Sequence, residues 1–356
     1  MIFYIIILFI LVFLTIKCSN NSLKGRSNIK YAIFIGIFFM LICGLRADSV
    51  GNDTIKYVEL YKDINYSASN IFFNRFEPGF IYLNKALGKL SINPQIIIIM
   101  SSIIIWTGII IFISNNSKNP AMSYFFIVTF GYMAFFMSGI RESIAISICL
   151  IGFEYVKEKR KILFFLSILL ASTFHISAFV FLIAYPVFNL KLNVYVKLLM
   201  IIVSIIFMKQ FDIIMLYAIE HIPKYASYLT TEYNDGIIRI ATVINLLIIS
   251  IIYIASSYYY RYQFGNENIY SGYLNLIFIG IPLLIVSLSF NLLDRFSNYF
   301  NIFIIIVIPN IICNRANVNH KLISFISMVC FLIYFICVQL LRPEWNGIYP
   351  YTLFWM

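Results

Sequence analysis

Three ionisable side chains, Arg46, Arg141 and His175, interrupt apolar runs at matching distances from clusters of basic residues. Arg46 stands 16 residues after Lys30, Arg141 stands 16 before Lys157, and His175 stands 14 after Lys161. At a helical rise of ~1.5 Å per residue, these separations are about 24, 24 and 21 Å. A hydrocarbon layer is ~30 Å thick, so all three would lie inside it at nearly one level. Arg295, placed 20 residues before Arg315, would reach about 30 Å, at the mouth. Charges at such depth are costly unless paired or used. A shared level implies a water-filled cavity open to one side of the membrane.

Arginine suits phosphate oxygens because its planar fork donates in pairs and does not deprotonate. Several arginines in one cavity therefore point to a phosphate or diphosphate ligand. The stretch Gly44 to Tyr57 adds Asp48, Asp53, Thr54 and Tyr57 to Arg46 where the second apolar run ends. Asp53, Glu77 and His175 are the candidates for a base near such a ligand. Each residue also has a plainer reading. Arg46 could snorkel to the interface, Arg141 could pair with Glu142 or a carboxylate on another helix, and His175 could bond a neighbouring backbone group. Asp294-Arg295 could be a helix-end charge pair. Of three histidines, His221 falls in a loop and His320 on the opposite side, and no HxxxH, HExxH or phosphate-cradling glycine motif is present. No metal and no cofactor is expected. The six cysteines fall mostly in apolar runs without CxxC spacing, as small hydrophobes do.

The elements that must position these side chains are transmembrane helices. Hydrophobic residues make up 62% of the 356 and charged residues 12%, far from a soluble domain. Apolar runs recur at 2–16, 31–45, 95–113, 121–139, 143–156, 162–174, 176–190, 198–208, 237–257, 269–290, 296–313 and 322–341. The expected fold is an all-α polytopic membrane protein of about 10–12 transmembrane helices, one membrane domain spanning 1–356 without internal repeats. The first run lacks a signal peptide's basic start and cleavage site, so it reads as an uncleaved span. Alternating the connections puts the whole net charge of +11 on one side, the cytoplasmic side by the positive-inside rule. Both termini and two long connections, 46–94 and 209–236, then face outward. Within the first, Glu77-Pro78-Gly79-Phe80 predicts a turn into an amphipathic interfacial helix. Nucleic acid is not an expected partner, since no basic stripe with interleaved aromatics occurs.

Together these residues resemble the EpsG family of Wzy-type polysaccharide polymerases. The resemblance rests on Gly44-Leu45-Arg46, Gly51-Asn52-Asp53-Thr54 with Tyr57, Glu77-Pro78-Gly79-Phe80, Gly139-Ile140-Arg141-Glu142-Ser143-Ile144-Ala145, Phe174-His175-Ile176-Ser177-Ala178, Asp294-Arg295-Phe296-Ser297-Asn298-Tyr299-Phe300 and Tyr349-Pro350-Tyr351. These occur in the family's order, nearly end to end. Glu142 departs from the pattern, which leads one to expect glutamine there. The resemblance implies a bacterial inner-membrane glycosyltransferase with its active site facing the periplasm or exterior. Such an enzyme joins undecaprenyl-diphosphate-linked repeat units into O-antigen or exopolysaccharide. Its partners would be the lipid-linked donor and acceptor glycans, the bilayer and a chain-length regulator protein. Arg46, Arg141 and Arg295 would hold the diphosphate, with Tyr57, Tyr299 and Arg239 also binding substrate. His175 or Glu77 would act as base, and Asp53 would order its loop or bind sugar. The alternatives are an O-antigen ligase using the same donor, and a lipid-linked oligosaccharide flippase, which should carry inverted repeats.

Overall fold

The structure is a computed structural model that describes residues 2–21, 25–66, 76–211, 213–214, 216–217, 238–264, 268–313, 320–342 and 347–356. Among the described residues it has sixteen α-helices and no strand beyond one isolated bridge. In chain order they are α1 (Ile2–Asn21), α2 (Gly25–Gly44), α3 (Thr54–Tyr66), α4 (Pro78–Gly88), α5 (Gln95–Asn116), α6 (Pro120–Thr129), α7 (Tyr132–Ser138) and α8 (Ile140–Lys157). Then come α9 (Lys161–Ser172), α10 (Ala184–Asn189), α11 (Val194–Lys209), α12 (Ile240–Phe264), α13 (Asn268–Ser287), α14 (Asp294–Asn301), α15 (Ile304–Ile312) and α16 (His320–Leu341).

The chain is an all-α polytopic membrane protein. Among the described residues, three helices are each long and apolar enough to cross a bilayer unbroken: Gln95–Asn116, Ile240–Tyr260 and Leu322–Leu341. Two bent pairs bring that number to five, and five further apolar helices are shorter. Backbone logic explains why helices predominate among the described residues. Hydrocarbon offers no partner for N–H or C=O, so each segment must satisfy its own.

Two expected continuous spans are broken. The run 121–139 divides into α6 and α7 at an angle of 63°. Gly131 sits at the break with φ of 81°, a left-handed conformation that glycine enters without the Cβ penalty. The run 296–313 divides into α14 and α15 with a bend of 41°. There the backbone switches to tighter bonds, Phe303 N–H to Phe300 O at 3.2 Å and Ile305 N–H to Ile302 O at 3.1 Å, of the i to i+3 kind. The run 176–190 is likewise not one α-helix: a 3₁₀ stretch, Ile176–Ile183, precedes the short α10.

The described part of the connection 46–94 is structured. It holds the expected helix after Glu77 as α4, and also α3, whose mixed polar composition gives no span signal. Most of the second long connection, including Tyr217 to Pro223 beyond its first residue, lies outside the described residues.

The described residues form two compact units, Met1–Leu182 with Ile308–Met356, and Ile183–Val307. In the first, α5 packs between α2 and α8, and α8 packs on α9. Its core stacks Phe39 on Trp106, with ring centroids 5.1 Å apart, and on Tyr124 at 5.6 Å. At the Lys157 end of α8, Asn116 joins the pair Lys157–Glu154 by accepting from Lys157 Nζ at 2.7 Å and donating to Glu154 at 2.8 Å. This polar knot pins α5 to α8 there. Arg141 stands at the other end of α8, about 24 Å away by helical rise. In the second unit, α13 packs against α10, α11, α12 and α14.

Candidate active site

Arg46 is 2% exposed, and its guanidinium serves the backbone. Nε donates to Val50 O at 3.1 Å, Nη2 to Met137 O at 2.7 Å, and Nη1 to Cys43 O. One side chain thus ties the end of α2, the following loop and the end of α7. Met137 O also accepts from Thr54 Oγ1 at 3.1 Å. The loop is clasped from two further directions. Gln95 Nε2 donates to Gly44 O and Arg46 O, at 2.9 and 3.0 Å. The segment 347–356 runs antiparallel beside it, with Phe354 N–H to Leu45 O at 3.0 Å and Ala47 N–H to Thr352 O at 2.9 Å. The expectation of a diphosphate-gripping Arg46 gives way to a scaffold residue. Buried carbonyls at helix ends need donors, and this arginine supplies three.

The scaffold leads into the site itself. Four residues beyond Met137, Arg141 forms an ion pair through Nη1 with Glu77 Oε2. The other oxygen of Glu77 lies 3.1 Å from His175 Nδ1 and accepts from Ile176 N–H at 3.3 Å. On the far side of the imidazole, His175 Nε2 is 3.8 Å from Glu142 Oε2. Phe76 stacks on the guanidinium of Arg141, 4.8 Å from ring centroid to Cζ. Tyr57, from α3, accepts a further side-chain hydrogen bond from Arg141 and packs its ring edge-on to Phe80, centroids 5.6 Å apart. The Arg141, Glu77 and His175 side chains are 21, 17 and 17% exposed, whereas Glu142 is 3% exposed.

Local sequence accounts for the placement. Pro78 starts α4 because a first-turn residue needs no N–H partner, and this puts Glu77 at the N-cap. Its side chain makes no cap hydrogen bond; it is drawn instead to Arg141 and His175. The start of α4 is docked on the end of α9 by Gly79 N–H to Thr173 O at 2.8 Å. A Cβ on Gly79 would meet Thr173 Oγ1 at 2.3 Å and Thr173 O at 2.7 Å. Only glycine permits that approach. Glu77 and His175 are therefore brought together by a backbone-to-backbone contact two residues from each.

Burial by itself pushes the Glu77 carboxyl upward. The hydrogen bond from His175 and the charge of Arg141 outweigh it and hold the group at about 2, against an ordinary 4.5. Glu77 is consequently a carboxylate at neutral pH and a weak proton acceptor. If Nδ1 carries the proton shared with Glu77, the basic lone pair of a neutral His175 lies on Nε2.

A family model described as the EpsG family matches residues 29–353. The chain belongs to the EpsG family. This family is Wzy-type polymerase-like, so the cluster of Arg141, Glu77 and His175 lies within a polysaccharide-polymerase-like membrane protein. The chain matches no curated protein and no solved structure.

The other EpsG-like segments have separate surroundings. Asp53 pairs with Lys56 at 2.8 Å on an exposed turn, so its carboxylate is spent on a neighbour and not on the cluster. In the second unit, Arg295 and Arg239 are the cationic neighbours of the Asp294 carboxyl. Tyr299 is 1% exposed, a packed interior side chain. Sequence reasoning brought Glu77, Arg141 and His175 forward but not their mutual contacts. It also missed Gly79 with Thr173, Phe76 on Arg141, and Glu142 facing the imidazole. The Glu77-Pro78-Gly79 run was the available signal, since proline and glycine at those positions constrain the backbone on either side of the carboxylate.

Proposed function

We propose that this EpsG-family chain is a membrane glycosyltransferase that polymerises undecaprenyl-diphosphate-linked oligosaccharide repeat units into O-antigen or exopolysaccharide, outside the cytoplasm of a bacterium. The observation that supports it best is the cluster itself: an arginine, a carboxylate and a histidine in mutual contact, partly open, on three separate segments. Such a grouping has the parts that a glycosyl transfer from a diphosphate needs, a proton acceptor and a cation for the leaving group.

The acceptor sugar hydroxyl donates its proton to His175 Nε2 as its oxygen bonds to the anomeric carbon of the donor. The bond from that carbon to the diphosphate oxygen breaks, and undecaprenyl diphosphate leaves with the electron pair. Glu77 fixes Nδ1 and, with Glu142, flanks the imidazolium that results. Arg141 stabilises the negative charge growing on the diphosphate, without a metal. A single displacement of this kind inverts the anomeric configuration. Arg46 acts at one remove, by holding the α7 end from which Arg141 follows. Arg295 and Arg239 are the proposed substrate-binding cations of the second unit.

The test is reconstitution in nanodiscs with the lipid-linked repeat unit, with and without EDTA. A ladder of longer products that survives EDTA, and whose initial rate falls about a hundredfold or more in His175→Ala and in Arg141→Ala, is the expected result. Product attached to a lipid A core instead would identify a ligase. Transport of the lipid-linked unit across the bilayer without any elongation would identify a flippase.

A further inference from the structure

The guanidinium that would receive a diphosphate is already occupied. Glu77 divides its two oxygens, Oε2 to Arg141 and Oε1 to His175 Nδ1 and Ile176 N–H. Carboxylate and phosphate present oxygens to arginine in the same planar, paired manner. Phe76 covers one face of the guanidinium, and the N–H donors point outward in its plane, so oxyanions bind along its edges, where Glu77 already sits. Arg141 Nε is meanwhile buried with no hydrogen-bond partner among the described residues. The resting site thus leaves a donor of this arginine unspent, and a ligand with more oxygens than a carboxylate could use it.

We infer that Glu77 is a built-in stand-in for the substrate's phosphate: it holds Arg141 until a diphosphate displaces it, and the displaced carboxylate then serves His175 alone. This deepens, and rests on, the diphosphate reading given above. The exchange moves no covalent bond; it replaces one oxyanion on Arg141 by another. It also couples the two halves of the chemistry. Donor binding at Arg141 releases Oε2, so the carboxylate that already meets Nδ1 through Oε1 serves the imidazole alone when the leaving group is in place.

The consequence is a split between binding and turnover. Glu77→Gln removes the competing charge but keeps the side chain's shape. A charge-assisted hydrogen bond is worth enough to change an affinity by about tenfold or more. Full-length protein in nanodiscs is titrated calorimetrically with inorganic pyrophosphate as wild type, Glu77→Gln, Glu77→Asp and Arg141→Gln, each checked by thermal unfolding. The expected result is pyrophosphate binding about tenfold tighter in Glu77→Gln than in wild type, no tightening in Glu77→Asp, and loss in Arg141→Gln. In the elongation assay, Glu77→Gln should lower both KM and kcat. Unchanged or weaker binding in Glu77→Gln, with Arg141→Gln still abolishing it, overturns the displacement and leaves the diphosphate reading standing. Equal binding by wild type and Arg141→Gln overturns the diphosphate reading itself. No binding by either wild type or Glu77→Gln also overturns the inference, because freeing the guanidinium should create a site.

Discussion

Gly79→Ala should cripple the site without touching any reacting group. The added Cβ would lie 2.7 Å from the Thr173 carbonyl oxygen, where ordinary contact begins at 3.4 Å. That oxygen is backbone and cannot rotate away, unlike the Thr173 hydroxyl. The start of α4 must therefore retreat by about 0.7 Å, and the Gly79 N–H bond to Thr173 O lengthens with it. Glu77 is two residues away on the same rigid start. Shifted along the same line, its Oε1 would go from 3.1 to about 3.8 Å from His175 Nδ1, and from 3.3 to about 4.0 Å from Ile176 N. Both distances are outside hydrogen-bond range. A charge-assisted hydrogen bond is worth ~1.5–3 kcal/mol, and ~1.4 kcal/mol is tenfold in rate. The expected loss of elongation rate is about tenfold to a hundredfold.

The assay is initial-rate elongation of the lipid-linked unit, beside thermal unfolding of the same preparation. A double-mutant cycle with His175→Ala separates positioning from general damage. If Gly79 acts through the Glu77–His175 pair, Gly79→Ala costs little more once His175 is gone. Thr173→Gly in the Gly79→Ala background removes the side-chain part of the clash and should restore part of the rate. A Gly79→Ala enzyme with wild-type rate would refute the reasoning, since the site would then tolerate a displaced Glu77. Equal losses in the presence and absence of His175 would refute the positioning role while leaving the steric one.

Three further outcomes follow from the same geometry. Arg46→Met should lower stability by about 2–6 kcal/mol, because Cys43 O and one of Val50 O and Met137 O, which would be left to share the Thr54 hydroxyl, lose donors worth ~1–3 kcal/mol each; a large drop in unfolding temperature tests it, and a variant as stable as wild type would contradict the scaffold role. Arg141→Lys should keep the unfolding temperature but lose about tenfold or more in kcat, since an ammonium ion cannot donate in a planar pair; full activity would count against bidentate phosphate binding. The third concerns acid. The Glu77 carboxyl is held at about 2 against an ordinary 4.5, so its ionic contacts stabilise the fold fully above about 4.5 and are lost as pH falls from there through about 2. Unfolding measured over that window should be less pH-dependent in Glu77→Gln than in wild type, and identical profiles would remove Glu77 as a contributor.

The helical, membrane-spanning character was legible because it follows from composition alone: apolar runs of bilayer length leave the backbone no alternative to helices. The depth count likewise put Arg141 and His175 at one level, and in the fold they share a carboxylate. Arg46 satisfied the same count, yet its guanidinium is engaged by three backbone carbonyls. Rise along a helix gives height but not azimuth, and azimuth decides whether a guanidinium meets a cavity or the carbonyls of Cys43, Val50 and Met137. The breaks in the runs 121–139 and 296–313 were hidden for a related reason. Hydropathy is blind to a single left-handed Gly131 or to a short run of 3₁₀ bonding. Glu77 was the hardest to place, since it lies on a connection that carries no span signal. Its neighbours Pro78 and Gly79 were visible in the sequence, but their partner Thr173 is 94 positions away in the chain. What makes Glu77 part of a site is that a glycine with no Cβ lets two helix ends touch. The chemistry of the cluster therefore depends as much on the residue that lacks a side chain as on the three that carry charge.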